Sequence, residues 1–395
     1  MHDPHGNVAQ AIQIAQLCIK IPIFYARLSF GSAPMSTLVR PLQGLDPARF
    51  ETPALLKQLV ASHRNLAELK GVAMSMPNQG ILINTLVLQE AKDSSEIENI
   101  VTTHDELFRE VAHFGAGGGQ AAKEVSRYAQ ALRVGFDAVR QSGLLTLGHI
   151  LQIQEALERN QAGLRKVPGT ALLDGAGQVV YTPPSPEHLP ALMGDLERFI
   201  NDGAMYPSDP LIKMALIHHQ FETIHPFYDG NGRTGRIINV LYLVRQALLD
   251  IPVLYLSRAI VRNKGDYYRL LQSVRDDDRW EEWVLYMLRA VEQTAVETIE
   301  TVKEIRALVM DYKHRIRDEY RFYSQDLINN LFSHPYTRIE FIQRELGVSR
   351  LTAASYLDHL VAGGFLRKHK VGRSNYYINE PLLRVLTCSR QANAS

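Results

Sequence analysis

Apolar residues along this chain recur mostly at helical spacing. In ILINTLVLQEAKDSSEIE, residues 81–98, Ile83, Leu86, Ala91 and Ser94 fall near one another, and the stretch predicts one helix with Glu98 a turn beyond Ser94. The glycine-rich FGAGGGQ at 114–120 predicts a loop; no Lys-Ser/Thr pair follows its glycines, so it is no P-loop. Helical pattern resumes from Glu124 through Asn160. The period changes in TALLDGAGQVVYTPPSP, residues 170–186. Two short apolar runs there flank Asp174-Gly175 and Gly177 and stop at Pro183 and Pro184, which predicts a β-hairpin. Beyond it ALMGDLERFIN, LIKMALIHHQFETI, RIINVLYLVRQALL and DYYRLLQSVR each read as helix, and a long amphipathic run extends from Glu281 to Tyr320.

The C-terminal region changes character. TRIEFIQREL is helix, GVS a turn at Gly347, RLTAASYLDHLVAGG a second helix, and FLRKHKVGRSNYYIN a strand, a turn at Gly372 and a strand. That order is the one of a winged helix-turn-helix. The expected fold class is therefore mainly α, with one hairpin ahead of a helical pair and a winged helix behind.

With 395 residues, 46% of them hydrophobic and 22% charged, the chain can bury at least two ordinary cores. A formal net charge of +1 gives no global attraction to nucleic acid or membrane, so such binding needs a local patch. Cys18 and Cys388 alone, near opposite ends, argue against a disulfide framework and fit a reducing cytoplasm. The apolar AIQIAQLCIKIPIFYARLSF near the start is interrupted by Gln13, Gln16, Lys20 and Pro22 and has no basic leader. It reads as neither targeting signal nor membrane span. Met35 is a plausible alternative start, and residues 1–34 read as an appendage of little functional weight, with no membrane partner expected.

Candidate chemistry concentrates in TIHPFYDGNGRTGRIIN, residues 223–239. Leu211, Met214, Ala215, His218, Phe221 and Ile224 keep helical spacing up to Pro226, and Ile237, Ile238, Leu241, Val244 and Leu248 restart it, so the segment lies between two helices. Gly230 and Gly232 let backbone N–H groups approach an anion, and the positive end of the second helix faces the same place. Arg233 and Arg236, three apart, share a helix face, and two guanidinium groups over such amides suit a polyphosphate. Asp229 is a hard oxygen ligand for the Mg²⁺ that a nucleotide triphosphate carries. His225, held by Pro226 beside those phosphates, is placed to take a proton from an attacking hydroxyl.

Gly230, Gly232 and Gly235 also spell G-x-G-x-x-G, with Asp250 at the distance of a ribose-binding acid. A dinucleotide fold needs strands on both sides, and here both flanks are helical. His218 and His219 with His225 match no usual zinc spacing and read as core or boundary histidines.

HPFYDGNGRTGR, residues 225–236, resembles the Fic family motif His-Pro-Phe-x-Asp/Glu-Gly-Asn-Gly-Arg-x-x-Arg at every defined position. The resemblance extends over residues 40–385 and to the family's multidomain bacterial members, and it implies a Fic-type helical bundle with a hairpin flap. It further implies a protein adenylyltransferase that moves AMP from ATP, with Mg²⁺, to a Ser, Thr or Tyr hydroxyl of a protein, its own chain included. By the same resemblance His225 is the base and Asp229 the Mg²⁺ ligand. Gly230, Asn231 and Gly232 surround the phosphates, Arg233, Thr234, Gly235 and Arg236 complete the nucleotide site, and Phe227 anchors the core. The hairpin would pair with an extended segment of the target. Tyr267 and Tyr268 lie where members shape the nucleotide pocket, and they read equally well as core aromatics.

SSEIENI contains Ser94-x-x-x-Glu98-Asn99, which resembles the family's inhibitory motif in its N-terminal class; Glu98 would then pair with Arg236 where the γ-phosphate belongs. Transfer of UMP or another group, or removal of AMP, stays open within that chemistry, and so does a DNA-binding regulator with a nucleotide-sensing core. For the latter, Arg350, His359, Arg367, Lys368, Lys370 and Arg373 are the candidate contacts, with a protein-docking or homodimerising role as the other use of the winged helix. The expected domains are an extension at 1–34, a helical region carrying the inhibitory helix at 35–115, a catalytic core at 116–300, a connecting helix at 301–325 and the winged helix at 326–385.

Overall fold

The helical periodicity read from the sequence is realised as helices in the computed structural model, which describes residues 39–112, 119–173, 176–372 and 374–387. The expectations for residues 1–34, for Cys18 and Cys388, for Arg373 and for most of the 114–120 loop fall outside those residues. In chain order the first helices are α1 (Pro53–Met74), α2 (Gly80–Ile97), α3 (His104–Ala112), α4 (Gln120–Ser142) and α5 (Leu147–Glu158). The hairpin strands β1 (Leu172–Leu173) and β2 (Val179–Tyr181) follow. Then come α6 (Leu189–Asn201), α7 (Pro210–Ile224), α8 (Asn231–Arg245), α9 (Ser257–Arg262), α10 (Lys264–Asp277) and α11 (Trp280–Glu319). The C-terminal elements are α12 (Gln325–Ser333), β3 (Tyr336–Thr337), α13 (Ile339–Leu346), α14 (Arg350–Ala362), β4 (Arg367–Val371), β5 (Ser374–Ile378) and α15 (Glu380–Thr387).

The chain divides into two compact units. One comprises residues up to 60, 131–246 and 260–289; the other comprises 61–130, 247–259 and 290 onward. The first is built around α7 and α8. Every residue of α7 from Leu211 to Ile224 is buried, including Lys213, His218, His219, Gln220, Glu222 and Thr223, as a helix enclosed on all sides requires. Its neighbours close tightly: a Cβ at Gly135 of α4 would sit 2.5 Å from Leu241 of α8 and 2.7 Å from Ile153 of α5, so only glycine permits that crossing. Trp283 donates its indole N–H to the Ala215 carbonyl at 2.9 Å and fixes the start of α11 against α7.

The run expected to be helical from Glu124 through Asn160 is two helices. Gly143 takes a left-handed φ of 69°, and Thr146 caps α5 by accepting from the His149 N–H at 3.2 Å. A left-handed glycine and a threonine cap interrupt the backbone even though the apolar spacing continues on both sides. The hairpin is present but short, with Leu172 paired to Tyr181 and Leu173 to Val179 across an irregular register. Its tip residues Asp174 and Gly175 lie outside the described set.

In the second unit, α2 carries a stripe of buried polar groups. Glu90, 3% exposed, accepts from the Tyr128 hydroxyl at 3.1 Å and from the N–H and hydroxyl of Ser257. Asp93 pairs with Arg258 at 3.2 Å; burial is the main influence on its carboxyl and raises its pKa. Gln89 donates to the Leu386 carbonyl in α15. The C-terminal order of helix, turn, helix, strand, turn, strand is as expected, with Gly347 left-handed at φ 66° and Ser349 capping α14 through the Thr352 N–H at 3.1 Å. The sequence did not announce β3, which adds a third antiparallel strand in the order β3-β5-β4. Among the described residues no helix is long and apolar enough to cross a membrane.

Several cations proposed for a DNA face are committed to carboxylates. Lys368 pairs with Asp358 at 2.8 Å, Arg350 with Glu340 at 3.0 Å, and Arg367 with Glu380. Those pairs lower the charge available to phosphates.

Candidate active site

The central loop is built by the end of α7, the start of α8 and a cap between them. His225 terminates α7 in the left-handed conformation, φ 48° and ψ 60°, with its N–H donating to the Phe221 carbonyl at 2.9 Å. That geometry is uncommon for a residue with a Cβ, although histidine tolerates it better than most. Pro226 follows, Phe227 is fully buried against Phe221 with ring centroids 6.1 Å apart, and the chain turns into α8 at Gly230, φ 74°. His225 itself is 4% exposed.

Each glycine has its own reason. A Cβ at Gly230 would stand 2.5 Å from a Glu158 carboxylate oxygen and 3.0 Å from Leu157, in addition to the strain of its positive φ. A Cβ at Gly235 would stand 2.7 Å from a Glu222 carboxylate oxygen and 3.1 Å from Phe221, so this glycine is needed for the contact of α8 with α7. Gly232 lies on the first turn of α8, whose leading N–H groups have no carbonyl partner within the helix. Both helices flanking the three glycines are α-helices, which excludes the dinucleotide fingerprint.

Asn231 closes the loop on itself. Its side-chain oxygen accepts from the Phe227 N–H at 2.9 Å, and its NH₂ donates to the Phe227 carbonyl at 2.9 Å. It therefore fixes the backbone leading into α8 from within the loop. Asp229 is 46% exposed, its Oδ1 accepting from the Gly230 N–H at 2.6 Å and lying 3.6 Å from Arg233 Nη2. Thr234 is fully buried and Gly235 faces α7, so both contribute packing at this position.

The two arginines stand in different surroundings. Arg233 donates to Glu158 at the end of α5 at 2.9 Å, and both side chains are largely buried, 3% and 15% exposed. Arg236, 3% exposed, lies among Glu222, His218 and Tyr267. His218 Nε2 and the Tyr267 hydroxyl are 2.8 Å apart, and the ring of His218 stacks on Trp283 at 6.0 Å. Burial and then the Arg236 charge pull the His218 imidazole down to about 3, so it is neutral beneath the arginine. Tyr267 is pushed well up by burial and then by Glu222. His219 lies 3.2 Å from the Leu271 carbonyl and meets Trp280 edge-on, a packed core role. Among the described residues no group of three or more His, Cys, Asp or Glu is placed to hold a metal ion.

Of the two tyrosines, Tyr267 is a core aromatic, 1% exposed. Tyr268 packs edge-on against it at 5.1 Å and is half-buried. In the other unit, Ser94 is fully buried on α2 and Glu98 caps that helix, half-buried. Asn99 is left-handed at φ 65°, its N–H donating to the Glu96 carbonyl at 3.0 Å, while the Ile100 N–H returns to the Ser95 carbonyl at 3.0 Å. That is why glycine or asparagine belongs after the glutamate: the position ends a helix by turning left-handed.

Sequence reasoning missed three residues that build this site: Glu158, Glu222 and Arg165, the last of which donates from Nε to the His225 carbonyl at 2.9 Å. None lies inside a motif already singled out, and only Glu222 is close in sequence. Their partners are set by the fold. Glu158→Ala leaves the buried Arg233 charge without its main carboxylate, and the expected cost is about 3 kcal/mol. Urea unfolding checks it; a loss below about 1 kcal/mol means that Asp229 or water replaces the pair.

The helical bundle with its short hairpin, and a histidine loop leading into a glycine-gated helix, define a Fic-type domain. Residues 144–243 match the model of the Fic/DOC family, residues 56–137 that of the Fic/DOC family N-terminal region, and residues 308–382 the C-terminal domain of SoFic-like protein adenylyltransferases. The chain belongs to the Fic/DOC family. Protein adenylyltransferase fic-1 of Caenorhabditis briggsae is 30% identical over 131 residues, 31% of this chain and 24% of the relative. Protein adenylyltransferase Fic of Drosophila yakuba is 36% identical over 98 residues, 25% of this chain and 19% of the relative. The match thus spans a quarter or less of these relatives' length. A Fic family protein from Desulfovibrio desulfuricans superposes with a TM-score of 0.55 at 22% identity, over 85% of this chain and 98% of that one. Fic-1 of Caenorhabditis elegans gives 0.50 at 21%, over 63% and 72%. Both show the shared fold.

Proposed function

We propose that this chain is a protein adenylyltransferase that moves AMP from ATP to a Ser, Thr or Tyr hydroxyl of a protein. The observation that carries the reading is His225 at the left-handed end of α7, in one short loop with the glycine-gated start of α8 and the buried Arg236. The N–H groups opening α8, with Arg236, hold the triphosphate; Arg233 reaches the same phosphates only as Glu158 yields it. The target hydroxyl attacks the α-phosphorus while His225 takes its proton. The new oxygen–phosphorus bond forms as the bond to the bridging oxygen breaks, and pyrophosphate leaves. Beside Arg236, His218 is neutral and Tyr267 un-ionised, so neither adds a charge next to that guanidinium.

Asp229 fits Mg²⁺: its carboxylate is 46% exposed beside the phosphate-facing loop, and one carboxylate with nucleotide phosphates is a common Mg²⁺ set. When bound, the ion supplies charge neutralisation on the phosphates. Glu98, by its motif, restrains the reaction. Calorimetric titration of the Glu98→Gly protein with ATP at millimolar Mg²⁺ is expected to show saturable one-site binding that Arg236→Ala weakens at least tenfold. Absence of heat in the Glu98→Gly protein overturns the reading.

A further inference from the structure

The side chain that joins the hairpin to the histidine loop belongs to neither. Arg165, ahead of β1, is 2% exposed. Its Nε donates to the His225 carbonyl at 2.9 Å, its backbone N–H to the Pro226 carbonyl at 2.9 Å, and its Nη2 to the Pro184 carbonyl just beyond β2. The next residue repeats the tie, the Lys166 N–H donating to the Tyr228 hydroxyl at 2.8 Å. From the end of β2 the Tyr181 hydroxyl donates to the Thr223 carbonyl at 2.8 Å. Arg275 stacks 4.0 Å over the Tyr181 ring centroid and donates to Thr223 Oγ1 at 3.2 Å.

These bonds fall where the backbone most needs them. His225 is left-handed at φ 48°, and the proline after it independently disfavours helical backbone at that position. The Arg165 backbone N–H holds the Pro226 carbonyl, while its guanidinium holds the His225 carbonyl and the exit of the hairpin together. A guanidinium can do this because its donors diverge in one rigid plane; an ammonium cannot span the set. Burial lowers the pKa of Arg165, with Tyr181 and Tyr228 acting against that shift.

We propose that Arg165 is the positioning residue that fixes the hairpin's register to the His225 backbone, so that a target strand lying along the hairpin brings its hydroxyl to the imidazole in line. The inference rests on the adenylyltransferase reading. It concerns alignment of acceptor and base, and leaves the nucleotide-holding groups of α8 untouched.

The test uses the full chain carrying Glu98→Gly, with Arg165→Met and Arg165→Lys added. The expected result is a split. The kcat for AMP transfer to protein falls about 10²-fold in Arg165→Met, as an ångström-scale misplacement does, while affinity for ATP with Mg²⁺ stays within about threefold. Arg165→Lys recovers part of the loss, and exchange of the His225 amide hydrogen quickens in both variants relative to amides in the middle of α7. An unchanged kcat overturns the proposal, as does a loss of ATP affinity in step with kcat, which marks a merely structural arginine. If Arg165→Met does not fold, the same split is read on Arg165→Lys. No transfer by the Glu98→Gly parent defeats the adenylyltransferase reading instead, and the His225 amide exchange then decides the positioning claim alone.

Discussion

Replacing His225 with alanine lowers AMP transfer by about 10²–10⁴-fold while ATP still binds. In the proposed reaction the imidazole is the proton acceptor, held at a helix end and 4% exposed. Water is a poor substitute there, because the buried site limits its access and its orientation. The groups proposed to hold the phosphates lie elsewhere, on the first turns of α8 and on Arg236, so nucleotide affinity is expected to change little. Loop geometry also survives: a left-handed alanine is less favourable than histidine there, but the Phe227 anchor and the Asn231 bonds at 2.9 Å remain. Steady-state transfer with labelled ATP, beside calorimetric ATP binding, reads both halves. Transfer within about threefold of the parent removes His225 as the base.

Glu98→Gly raises autoadenylylation about tenfold or more, the size of a typical coupling of 1–3 kcal/mol between a restraint and a site. The substitution is a clean probe because of where the residue sits. Glu98 ends α2, and Asn99 already turns left-handed at φ 65°, so removing the carboxylate at the helix end disturbs little of the helix behind it. The polar anchors of α2, with Glu90 bonded to Tyr128 and Ser257 and Asp93 paired with Arg258, stay in place. Glu98→Gln separates charge from bulk: relief by glutamine alone assigns the restraint to the ionised carboxylate. No gain in either variant removes Glu98 from regulation.

Much of the helical framework was legible because apolar residues keep a 3.6-residue spacing, and the loop was legible because histidine, glycine and arginine types crowd into residues 225–236. Its core was less so. All of α7 from Leu211 is buried, and a helix enclosed on every side has no polar face to mark its orientation. The 143–146 break hid because apolar spacing continued across it, although Gly143 and Thr146 were the proper signals. With two residues, β3 is too short to carry a period of two. Glu158 and Arg165 stayed silent because their partners lie far along the chain, Arg233 for the one and His225 for the other. The C-terminal basic residues looked like a patch for the same reason: Asp358, Glu340 and Glu380, ten or more positions from the cations they neutralise, become their neighbours only after folding.

In the proposed reaction the loop between α7 and α8 presents a nucleotide's α-phosphorus to a hydroxyl beside His225. Glu98→Gly protein incubated with Mg²⁺ and ATP labelled at either the α- or the γ-phosphorus tests it most directly. The protein is expected to retain the α-label and not the γ-label, and the same protein carrying His225→Ala to retain neither. Retention of the γ-label, or of no label at all, contradicts it.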